Sequence, residues 1–532
     1  MLTETGYFSC GIGDKSVWYY MIHKIESVNS RGMIFTFTFF SLCFIAMITF
    51  APQSSTVNSP WNVLLYSQNE ALAQPLIRDQ PSSLDGLNYS KPQDVYSKDG
   101  VLKTAISVDY LMGKLDNKSI VSMAYNGSIP GPTLHVYPGD RVEIELINNL
   151  NESTNLHFHG LHVSPTNNSD GSASDNIFLN VEPGKTQLYV LNIPKDHSPG
   201  SNWYHSHFHQ LSYGQVSAGL SGMFIVEGLE KLLPEPLQNI TTQTIAMRDI
   251  PFDQAFITTH HSQHSMSNTN TGTERNTVNG EINPVINITS GETQLWRLAN
   301  IGPENELGVE LPGNTFYVIA EDGSPVWEVW KNDTLFLPSG KRFDVLVTAT
   351  GNGSIPLNNT FAEPYGTWNH NIIATVNIQG DQKDTENSTI IPTSLRAKED
   401  LKLENIANIR VLNFSSNDID WTYKIDNATF DHNRIDQTVK VGTVEEWRLV
   451  NLDGVNTTNI HPFHIHVNDF QVISVNGEPY EARGLQDTVI IPTGGEVVIR
   501  IPFNDFEGKT VYHCHLMFHG DYGMMGIVEM VK

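Results

Sequence analysis

Residues 513–524 combine one cysteine, three histidines and two methionines in one short stretch, His-Cys-His-Leu-Met-Phe-His-Gly-Asp-Tyr-Gly-Met. Two imidazoles, one thiolate and a more distant thioether are the ligands of a copper site that transfers electrons. If the stretch is a β-strand, Cys514 points to one face, and its neighbours His513 and His515 point to the other. One short strand would then connect two separate copper centres.

The cysteine count supports a metal-binding role for Cys514. The chain has three cysteines, and Cys10 and Cys43 precede or lie within an apolar N-terminal segment. Cys514 is therefore the single cysteine of the globular region, and no disulfide framework is possible there. A lone cysteine is often a small buried residue, but histidines on both sides and another at position 519 favour a metal ligand.

The N-terminal region contains an uncharged apolar run at residues 33–50, preceded by Lys24 and Arg31. This pattern is typical of an export signal or an N-terminal membrane anchor, and the length of the run favours an uncleaved anchor or a long signal. We therefore expect the body of the protein outside the cytoplasm: extracellular, at the cell surface or in a periplasm-like space. Residues 1–52 are assigned to this signal or anchor, and residues 53–95 to a polar lead-in.

The composition argues against nucleic acid as a partner and favours folded β domains. The net charge is −26 with only 32 basic residues, which disfavours binding to a polyanion. Charged residues make up only 17% of the chain, so it is not a disordered acidic tail. Short alternating runs bounded by Gly, Pro and Asn dominate, and this pattern predicts all-β sandwiches.

The chain repeats one unit three times. A motif that begins with glycine and ends at asparagine recurs at 139–148, 291–300 and 442–451, with its glycines 152 and 151 residues apart. A second landmark recurs as Pro183-Gly184-Lys185, Pro338-Ser339-Gly340-Lys341 and Pro492-Thr493-Gly494. We therefore predict three β-sandwich domains of similar size: domain 1 at 96–230, domain 2 at 231–385 and domain 3 at 400–532.

Four histidine clusters follow the same repeat in domains 1 and 3. They are His157-Phe158-His159-Gly160, His205-Ser206-His207, His461-Pro462-Phe463-His464-Ile465-His466 and the opening motif. His157 precedes His464 by 307 residues and His205 precedes His513 by 308, so each pair occupies the same place in its domain. Because residues i and i+2 of a strand share a face, four His-x-His pairs can aim eight imidazoles at one cavity, enough for about three copper ions.

The repeat also predicts where copper is absent. The positions in domain 1 that match Cys514, His519 and His461 are Ser206, Leu211 and Thr154, so domain 1 lacks the cysteine-type site. The matching regions of domain 2, residues 307–311 and 358–362, contain no histidine. Domain 2 is therefore predicted to be a spacer without copper that shapes the assembly.

The histidine motifs resemble, in order and placement, the HxHG, HxH, HPxHxH and HCHxxxHxxxxM patterns of three-domain multicopper oxidases. The resemblance is to the laccase, bilirubin oxidase and cuprous oxidase group and covers about residues 95–532. It implies three cupredoxin-like Greek-key β-sandwich domains and four copper ions. One type 1 copper would lie in domain 3, and one type 2 copper and a type 3 pair would lie between domains 1 and 3.

The same resemblance implies a set of copper ligands. Type 1 copper would be held by His461, Cys514 and His519, with Met524 as the weak axial ligand. A methionine at this position resembles the pattern of the bacterial and archaeal members of the family. Met525 is an adjacent alternative, but the spacing favours Met524. His157 and His464 would bind type 2 copper. The type 3 pair would be bound by His159, His205, His207, His466, His513 and His515.

The function implied by the resemblance is an exported oxidase. It would take single electrons from a reducing substrate at the type 1 site, pass them through Cys514 to its flanking histidines and reduce O2 to water. The donor stays open between a phenol or aromatic amine and a metal ion such as Cu(I), Fe(II) or Mn(II). There are two alternatives: a copper nitrite reductase-like enzyme and a copper-binding or copper-resistance protein. The nitrite reductases resemble two-domain chains and lack eight cluster histidines, so the sequence disfavours them.

Proton delivery to the cluster requires an acid. The family usually has a carboxylate soon after the first HxHG motif, and Asp170 and Asp175 are the candidates here. The context of Asp175 fits better, although either residue is otherwise an ordinary turn aspartate. Many bacterial relatives also have an acid directly after the residue that matches His519, but this chain has Gly520 there. A second proton relay is therefore not expected unless Asp521 substitutes.

Two weaker signals lie outside these motifs. Residues 260–266 contain three histidines and Met266; they are able to capture copper, but their composition favours a solvated loop. His209 follows the second histidine motif, and we interpret it as a residue that packs behind the ligands, not as a ligand.

Overall fold

The computed structural model describes residues 92–115, 118–251, 274–360, 372–380, 391–454 and 459–532. Within these residues the chain is mostly β-strand, arranged in six sheets, and the predicted all-β class is confirmed. None of the helices in this part of the chain has the length and apolar composition needed to cross a membrane. The apolar run at 33–50, Cys10, Cys43 and the histidines at 260–264 lie outside the described residues, so their roles stay predictions.

Domain 1 is a sandwich of two sheets, with a short helix just before its last strand. Its strands are β1 (Asp94–Tyr96), β2 (Val101–Leu115), β3 (Lys118–Tyr125), β4 (Gly131–Val136), β5 (Arg141–Asn148), β6 (His157–His159), β7 (Thr186–Asn192), β8 (Gly200–His205) and β9 (Ser221–Val226). The sheet orders are β1-β4-β9-β8-β6 and β3-β2-β5-β7. Helix α1 (Ser212–Ala218) connects β8 to β9. The first strand already includes residues 94 and 95 of the predicted lead-in.

Domain 2 follows two short 3-10 helices, Leu229–Leu232 and Glu235–Leu237. Its strands are β10 (Thr242–Pro251), β11 (Glu274–Val278), β12 (Val285–Thr289), β13 (Thr293–Asn300), β14 (Leu307–Glu310), β15 (Phe316–Glu321), β16 (Ser324–Asn332), β17 (Thr334–Leu337), β18 (Arg342–Thr348), β19 (Gly353–Asn359) and β20 (Ile372–Gln379). The sheet orders are β11-β10-β13-β18-β15-β16 and β12-β20-β19-β14-β17.

Domain 3 begins after a 3-10 turn at Leu401–Leu403. Its strands are β21 (Ile406–Asn417), β22 (Thr422–Ile425), β23 (Gln437–Lys440), β24 (Thr443–Asn451), β25 (His461–Ile465), β26 (Gln471–Val475), β27 (Glu478–Pro479), β28 (Thr488–Ile491), β29 (Glu496–Phe503), β30 (Gly508–Cys514) and β31 (Met525–Val531). The sheet orders are β22-β21-β24-β29-β26-β27 and β23-β31-β30-β25-β28. Helix α2 (Met517–Asp521) connects β30 to β31.

The first sequence landmark forms the same strand in each domain, namely β5, β13 and β24. Each of these strands pairs in parallel with an earlier strand, which is β2, β10 or β21. Each also pairs antiparallel with a later strand, which is β7, β18 or β29. Buried and more exposed residues alternate along β5, as expected for a strand with one face on a core. The repeat in the sequence is therefore a repeat in the structure.

The asparagine that ends each landmark ties its strand to the proline turn of the second landmark. The side-chain Nδ2 groups of Asn148, Asn300 and Asn451 donate to the carbonyls of Val181, Leu337 and Ile491, which lie just before the three prolines, at 2.8, 3.0 and 3.4 Å. The Oδ1 atom of each asparagine accepts a backbone N–H two residues further along the chain. Both landmarks recur together because one buried amide satisfies backbone groups of both segments.

A small apolar cluster joins the three domains. It contains residues from every domain, and all of them are buried: Trp203, Val216, Met223, Ile225, Ala246, Ala299, Ile301 and Met517. Burial of apolar surface is non-directional and proportional to area. The cluster therefore stabilises the packing of the domains, while the polar contacts described below specify their orientation.

We predict that Asn148→Ala destabilises domain 1 strongly. The substitution leaves the N–H of Leu150 and the carbonyls of Glu152 and Val181 without the partners that they have now. Each buried group that loses its partner costs about 1–3 kcal/mol. Calorimetry should show a lower unfolding temperature, whereas Asn433→Ala, at an exposed position, should leave it unchanged. Equal unfolding temperatures in the two variants would contradict the role given to the asparagine.

Candidate metal centres

The histidine motifs lie on neighbouring antiparallel strands in both domains that carry them. In domain 1, β6 pairs with β8 and His157 lies opposite His205. In domain 3, β25 pairs with β30 and His464 lies opposite His513. The equal register places the two histidine pairs of each domain side by side. Packing of domain 1 against domain 3 then brings all four pairs to one buried cavity.

Cys514 and its two neighbours face opposite sides of β30. The Cys514 side chain is fully buried in the apolar core of domain 3 together with Phe463 and Met524. The flanking histidines lie against histidines of domain 1: the Nε2 atom of His513 is 3.2 Å from Nε2 of His207. The two faces of a single strand therefore serve two different sites, as the alternation of side chains requires.

Three ligand atoms converge on the core side of this strand. The Sγ atom of Cys514 lies 3.6 Å from Nδ1 of His461 and 3.6 Å from Nδ1 of His519, and these two nitrogens are 3.3 Å apart. The point equidistant from the three atoms is about 2 Å from each, close to typical metal–nitrogen and metal–sulfur bond lengths. A trigonal set of two imidazoles and one thiolate fits copper.

Asp453 holds His461 from behind. The Nε2 atom of His461 donates to Oδ2 of Asp453 at 2.9 Å, so the Nδ1 lone pair points toward Cys514. The Asp453 carboxylate also accepts the backbone N–H of Ser416 at 2.7 Å and its hydroxyl at 2.5 Å. Burial opposes ionisation of Asp453, but the hydrogen bonds from His461 and Ser416 lower its pKa below the usual value.

The two adjacent methionines lie in different environments. Met524 is fully buried in the apolar cluster that contains Cys514, and its carbonyl accepts the N–H of Cys514 at 3.1 Å. Met525 lies in another cluster with Ile177 and Val511. Successive residues of a strand point to opposite faces, so the packing favours Met524 as the thioether beside the cysteine.

The corresponding location in domain 1 is an uncharged hydrogen-bonded cluster. Thr154 and Ser206, which the repeat matches to His461 and Cys514, have their hydroxyl oxygens 3.3 Å apart. Both hydroxyls donate to Oε1 of Gln215, at 2.8 and 2.5 Å. The fold thus keeps the same two positions in contact in both domains, but only domain 3 places imidazole and thiol groups there.

The eight other histidines form one connected group at the interface of domains 1 and 3. Their ring nitrogens form groups of three in which all the nitrogens lie within 4.8 Å of one another. Two groups combine both domains: His157, His464 and His466, and His207, His466 and His513. A third group, His157, His159 and His205, lies within domain 1. His515 joins through its Nε2 atom, 3.2 Å from Nδ1 of His159. This arrangement is compatible with the ligand set expected for a type 2 and a type 3 site.

In several of these histidines, one ring nitrogen is held by a hydrogen bond, and this orients the other ring nitrogen toward the cavity. The Nδ1 atoms of His205, His464 and His513 donate to the carbonyls of Ser206, Asp487 and Cys514 at 2.8, 2.8 and 2.9 Å. The Nε2 atoms of His157, His205 and His464 are buried and make no hydrogen bond within the described part of the chain. Buried imidazole nitrogens that have a fixed tautomer and no partner fit metal ligands.

The cluster histidines are neutral. Burial, followed by the proximity of other histidines, lowers the pKa of His157, His159, His207, His466 and His515 well below the usual value. Burial also lowers the pKa of His205 and His513 to about 3 and that of His464 to about 4. Eight imidazoles that do not protonate at neutral pH keep their lone pairs available for metal ions.

The structure separates the two candidate acids. Asp175 is buried; its carboxylate accepts Nδ1–H of His157 at 3.0 Å and the backbone N–H of Phe158 at 2.9 Å. Burial raises the pKa of Asp175 to about 8. Asp170 is exposed and caps a turn by accepting the N–H and hydroxyl of Ser172 at 3.0 and 2.6 Å. Of these two aspartates, Asp175 is the one that contacts a cluster histidine in the described structure.

A buried ion pair from domain 2 supports two histidines. Arg342 donates from its two terminal nitrogens to the two carboxylate oxygens of Asp487, each at 2.8 Å. Asp487 in turn lies 3.2 Å from Nε2 of His159 and accepts Nδ1–H of His464 through its carbonyl. The Arg342 guanidinium keeps the pKa of Asp487 below its usual value despite burial. This chain of contacts crosses all three domains.

The proline turn of domain 2 forms a wall of the cluster. The Nδ1 atom of His515 donates to Oγ of Ser339 at 3.1 Å, and that hydroxyl donates to the carbonyl of Gly302 at 2.6 Å. Gly340 has φ of +88°, and a Cβ there would lie 3.0 Å from the ring of His515 and 3.1 Å from that of His159. Domain 2 was predicted only to shape the assembly, whereas the hydroxyl of Ser339 directly contacts a candidate ligand, His515.

The residues after His519 have a structural role that links domains 1 and 3. The Asp521 carboxylate accepts the backbone N–H groups of Gln210 and Tyr213, at 2.9 and 2.7 Å, where helix α1 begins. Gly520 lies beside the carbonyl of Cys514, which a Cβ would approach to 3.4 Å. Within the described residues, Asp521 is hydrogen-bonded to the backbone of Gln210 and Tyr213 and to the side chain of Ser212 in domain 1, and not to a cluster histidine.

Sequence reasoning did not identify Ser339, Arg342 and Asp487. Ser339 belongs to the repeated proline landmark and Arg342 directly follows it. The recurrence of this landmark was a usable signal for Ser339 and Gly340. Asp487 lies in a segment without a motif and is 328 residues from His159 in the chain. Local pattern carries no information about a contact at that separation.

Comparisons with known proteins agree with this geometry. Three family profiles described as multicopper oxidase match residues 108–231, 238–377 and 400–531. The chain is 29% identical to a multicopper oxidase of Staphylococcus haemolyticus over 419 residues, which are 77% of this chain and 84% of that one. It is 26% identical to a laccase of Bacillus subtilis, over 75% of this chain and 88% of that one.

The fold is similar to that of solved proteins. A multicopper oxidase of Campylobacter jejuni, described as a metallo-oxidase, superposes with a TM-score of 0.67 at 24% identity, over 83% of this chain and 96% of that one. At this identity the likeness shows the fold, which is the three-domain cupredoxin architecture expected from the sequence.

We predict that Gly340→Ala reduces the copper content of the cluster and slows O2 reduction more than tenfold. The added Cβ would displace the rings of His515 and His159. The left-handed backbone conformation would also strain an alanine there by about 1–2 kcal/mol. Gly351→Ala is a matched control, because Gly351 is also in domain 2, has φ of +90° and has no atom within 4 Å of its Cβ position. Copper analysis and O2 uptake should distinguish the two, and equal copper content would contradict the proposed wall.

Proposed function

This chain belongs to the multicopper oxidase family and couples the oxidation of a reducing substrate to the reduction of O2, and from this premise we propose the roles of its residues and the class of its donor. Copper is the cofactor of the family. We propose four copper ions: a type 1 ion at His461, Cys514 and His519 with Met524, a type 2 ion at His157 and His464, and a type 3 pair at the six remaining cluster histidines. When bound, the coppers collect single electrons and deliver four of them to O2.

One observation supports this assignment above all others. Cys514 joins its two histidines on the core side of β30, while His513 and His515 join the cluster on the other side. A single covalent segment of three residues therefore connects the two groups of ligands. A copper-storage protein has no need for such a connection, and this favours an electron-transferring oxidase over the copper-binding alternative. The three-domain architecture also disfavours a copper nitrite reductase-like enzyme.

We propose that the electron donor is a cation, with a metal ion such as Cu(I), Fe(II) or Mn(II) preferred over a neutral phenol. Burial raises the pKa of the Cys514 thiol, and a backbone hydrogen bond from Leu516 opposes this rise. The carboxylates of Glu304, Glu306 and Asp453 are near enough to raise the pKa further, so three acidic side chains lie near the proposed type 1 site. The carbonyl of Pro303 accepts the N–H of Met517 at 3.2 Å, which places this acidic segment next to the helix of His519. Clustered negative charge raises the local concentration of cations.

Steady-state O2 uptake by the copper-loaded protein tests the donor class. Cu(I), Fe(II), Mn(II) and a neutral phenol are offered in parallel, with Cys514→Ser as the inactive control. We expect turnover with at least one metal ion. In Glu304→Gln and Glu306→Gln, KM for that ion should rise about 5- to 10-fold. The reason is that one charge at an effective dielectric constant near 20 contributes about 1 kcal/mol or more to the attraction of a cation. The kinetics with the neutral phenol should be unchanged.

Other outcomes of this experiment are equally informative. Turnover with the phenol alone would contradict a cationic donor but not the oxidase. No uptake with any donor, in protein that contains its full copper and the blue thiolate absorption, would contradict the oxidase and favour a storage role.

We propose that Asp175 supplies protons during O2 reduction. The carboxyl group is buried against His157, in the position expected of an acid that serves the cluster. Asp175→Asn keeps an acceptor for the N–H of Phe158 but removes the acid. Reoxidation of the fully reduced protein by O2 should slow by about 10²-fold or more, while anaerobic bleaching of the blue absorption by the donor keeps its rate. Unchanged reoxidation at full copper content would rule out this role.

A further inference from the structure

A cleft of about 530 Å³ lies between domains 1 and 3, outside both groups of ligands described above. One wall is the segment 208–210, which follows the second histidine motif. The other wall is the segment 429–434, which connects β22 to β23 in domain 3. The established oxidase reaction assigns no role to this cleft.

Two histidines face each other across the cleft, one from each domain. The ring centroids of His209 and His432 are 5.3 Å apart, with an angle of 74° between the planes. The same protein provides a standard for this distance. His461 and His519, whose Nδ1 atoms converge to 3.3 Å, have their centroids 5.2 Å apart with an angle of 61°. The ring centroids of His209 and His432 are therefore separated by a distance that also occurs in this protein between two imidazoles whose nitrogens converge.

Both rings are held in place by the same aromatic side chain. Phe430 packs at 4.6 Å from the ring of His209 and at 4.7 Å from that of His432. The Nδ1 atom of His209 is buried and has no hydrogen-bond partner in the described part of the chain. A buried polar atom without a partner requires an explanation, and a bound ligand is one.

The charges around the cleft favour a cation. Arg434 is neutralised within its own segment, because it donates to Asp436 at 2.6 Å and to the carbonyl of Thr429 at 2.8 Å. Asp431 also lines the cleft and is exposed. The chain as a whole carries a net charge of −26, which attracts cations from solution.

We propose that His209 and His432 bind one first-row divalent transition-metal ion, Zn(II) or Cu(II), with water as the remaining ligands. Imidazole is a preferred ligand of both ions. Because the two ligands come from different domains, the ion links the segment after the second histidine motif to domain 3. The site is additional to the copper sites and uses none of their ligands.

The test uses the copper-loaded protein and Zn(II), which has no redox chemistry that would interfere. The protein is dialysed against free Zn(II) in the micromolar range, and zinc and copper are counted by mass spectrometry. We expect the wild type to bind one more zinc per chain than His432→Ala, with equal copper in both. Asn433→Ala, an exposed neighbour that leaves both histidines intact, should bind zinc like the wild type.

Two further measurements locate the ion. Anomalous scattering at the zinc edge from a soaked crystal should place a peak between the rings of His209 and His432. Zn(II) should raise the unfolding temperature of the wild type but not of His432→Ala, because an ion that binds only the folded state stabilises it. Equal zinc content in the wild type and His432→Ala, or an anomalous peak only elsewhere, would overturn the proposal.

Discussion

The structure depends on burying ten histidines and one cysteine inside a protein. A buried imidazole that kept a positive charge would be costly, and a buried N–H without an acceptor would also be costly. A neutral imidazole therefore needs an acceptor for its one N–H, and its other nitrogen then presents a lone pair to a metal ion. Five of the histidines have such an acceptor. The carboxylates of Asp453 and Asp175 and the carbonyls of Ser206, Asp487 and Cys514 meet this need.

This requirement connects the metal centres to the arrangement of the domains. Domain 2 contributes no histidine or cysteine to the groups of candidate ligands found in the described residues, yet Ser339 and Arg342 secure histidines of the other two domains. A buried ion pair such as Arg342–Asp487 stabilises a structure only when its remaining hydrogen-bonding groups are satisfied. Here the guanidinium also donates to the carbonyls of Ser201 and Gly340, at 3.1 and 3.0 Å. The ion pair therefore holds the domains in one relative orientation.

The threefold repeat shows how one β-sandwich supports different chemistry. Domains 1 and 3 keep the same strands, the same terminal asparagine and the same contact between two side chains. In domain 1 that contact joins Thr154 and Ser206, whose hydroxyls are satisfied by Gln215. In domain 3 it joins His461 and Cys514 with His519. The fold supplies the location, and the residue types decide whether a metal can bind there.

The sequence by itself determined the all-β class, the three repeats and the set of candidate ligands, because strand alternation and histidine spacing are local patterns. It also left Asp170 and Asp175 as alternatives, and it offered no reason to consider Asp487, Arg342 or His432. Only the tertiary structure decided these points. Burial distinguished Asp175 from the exposed Asp170, and contacts between residues hundreds of positions apart brought Asp487 to His159 and His432 to His209. Such contacts depend on how whole domains pack, and no local periodicity encodes them.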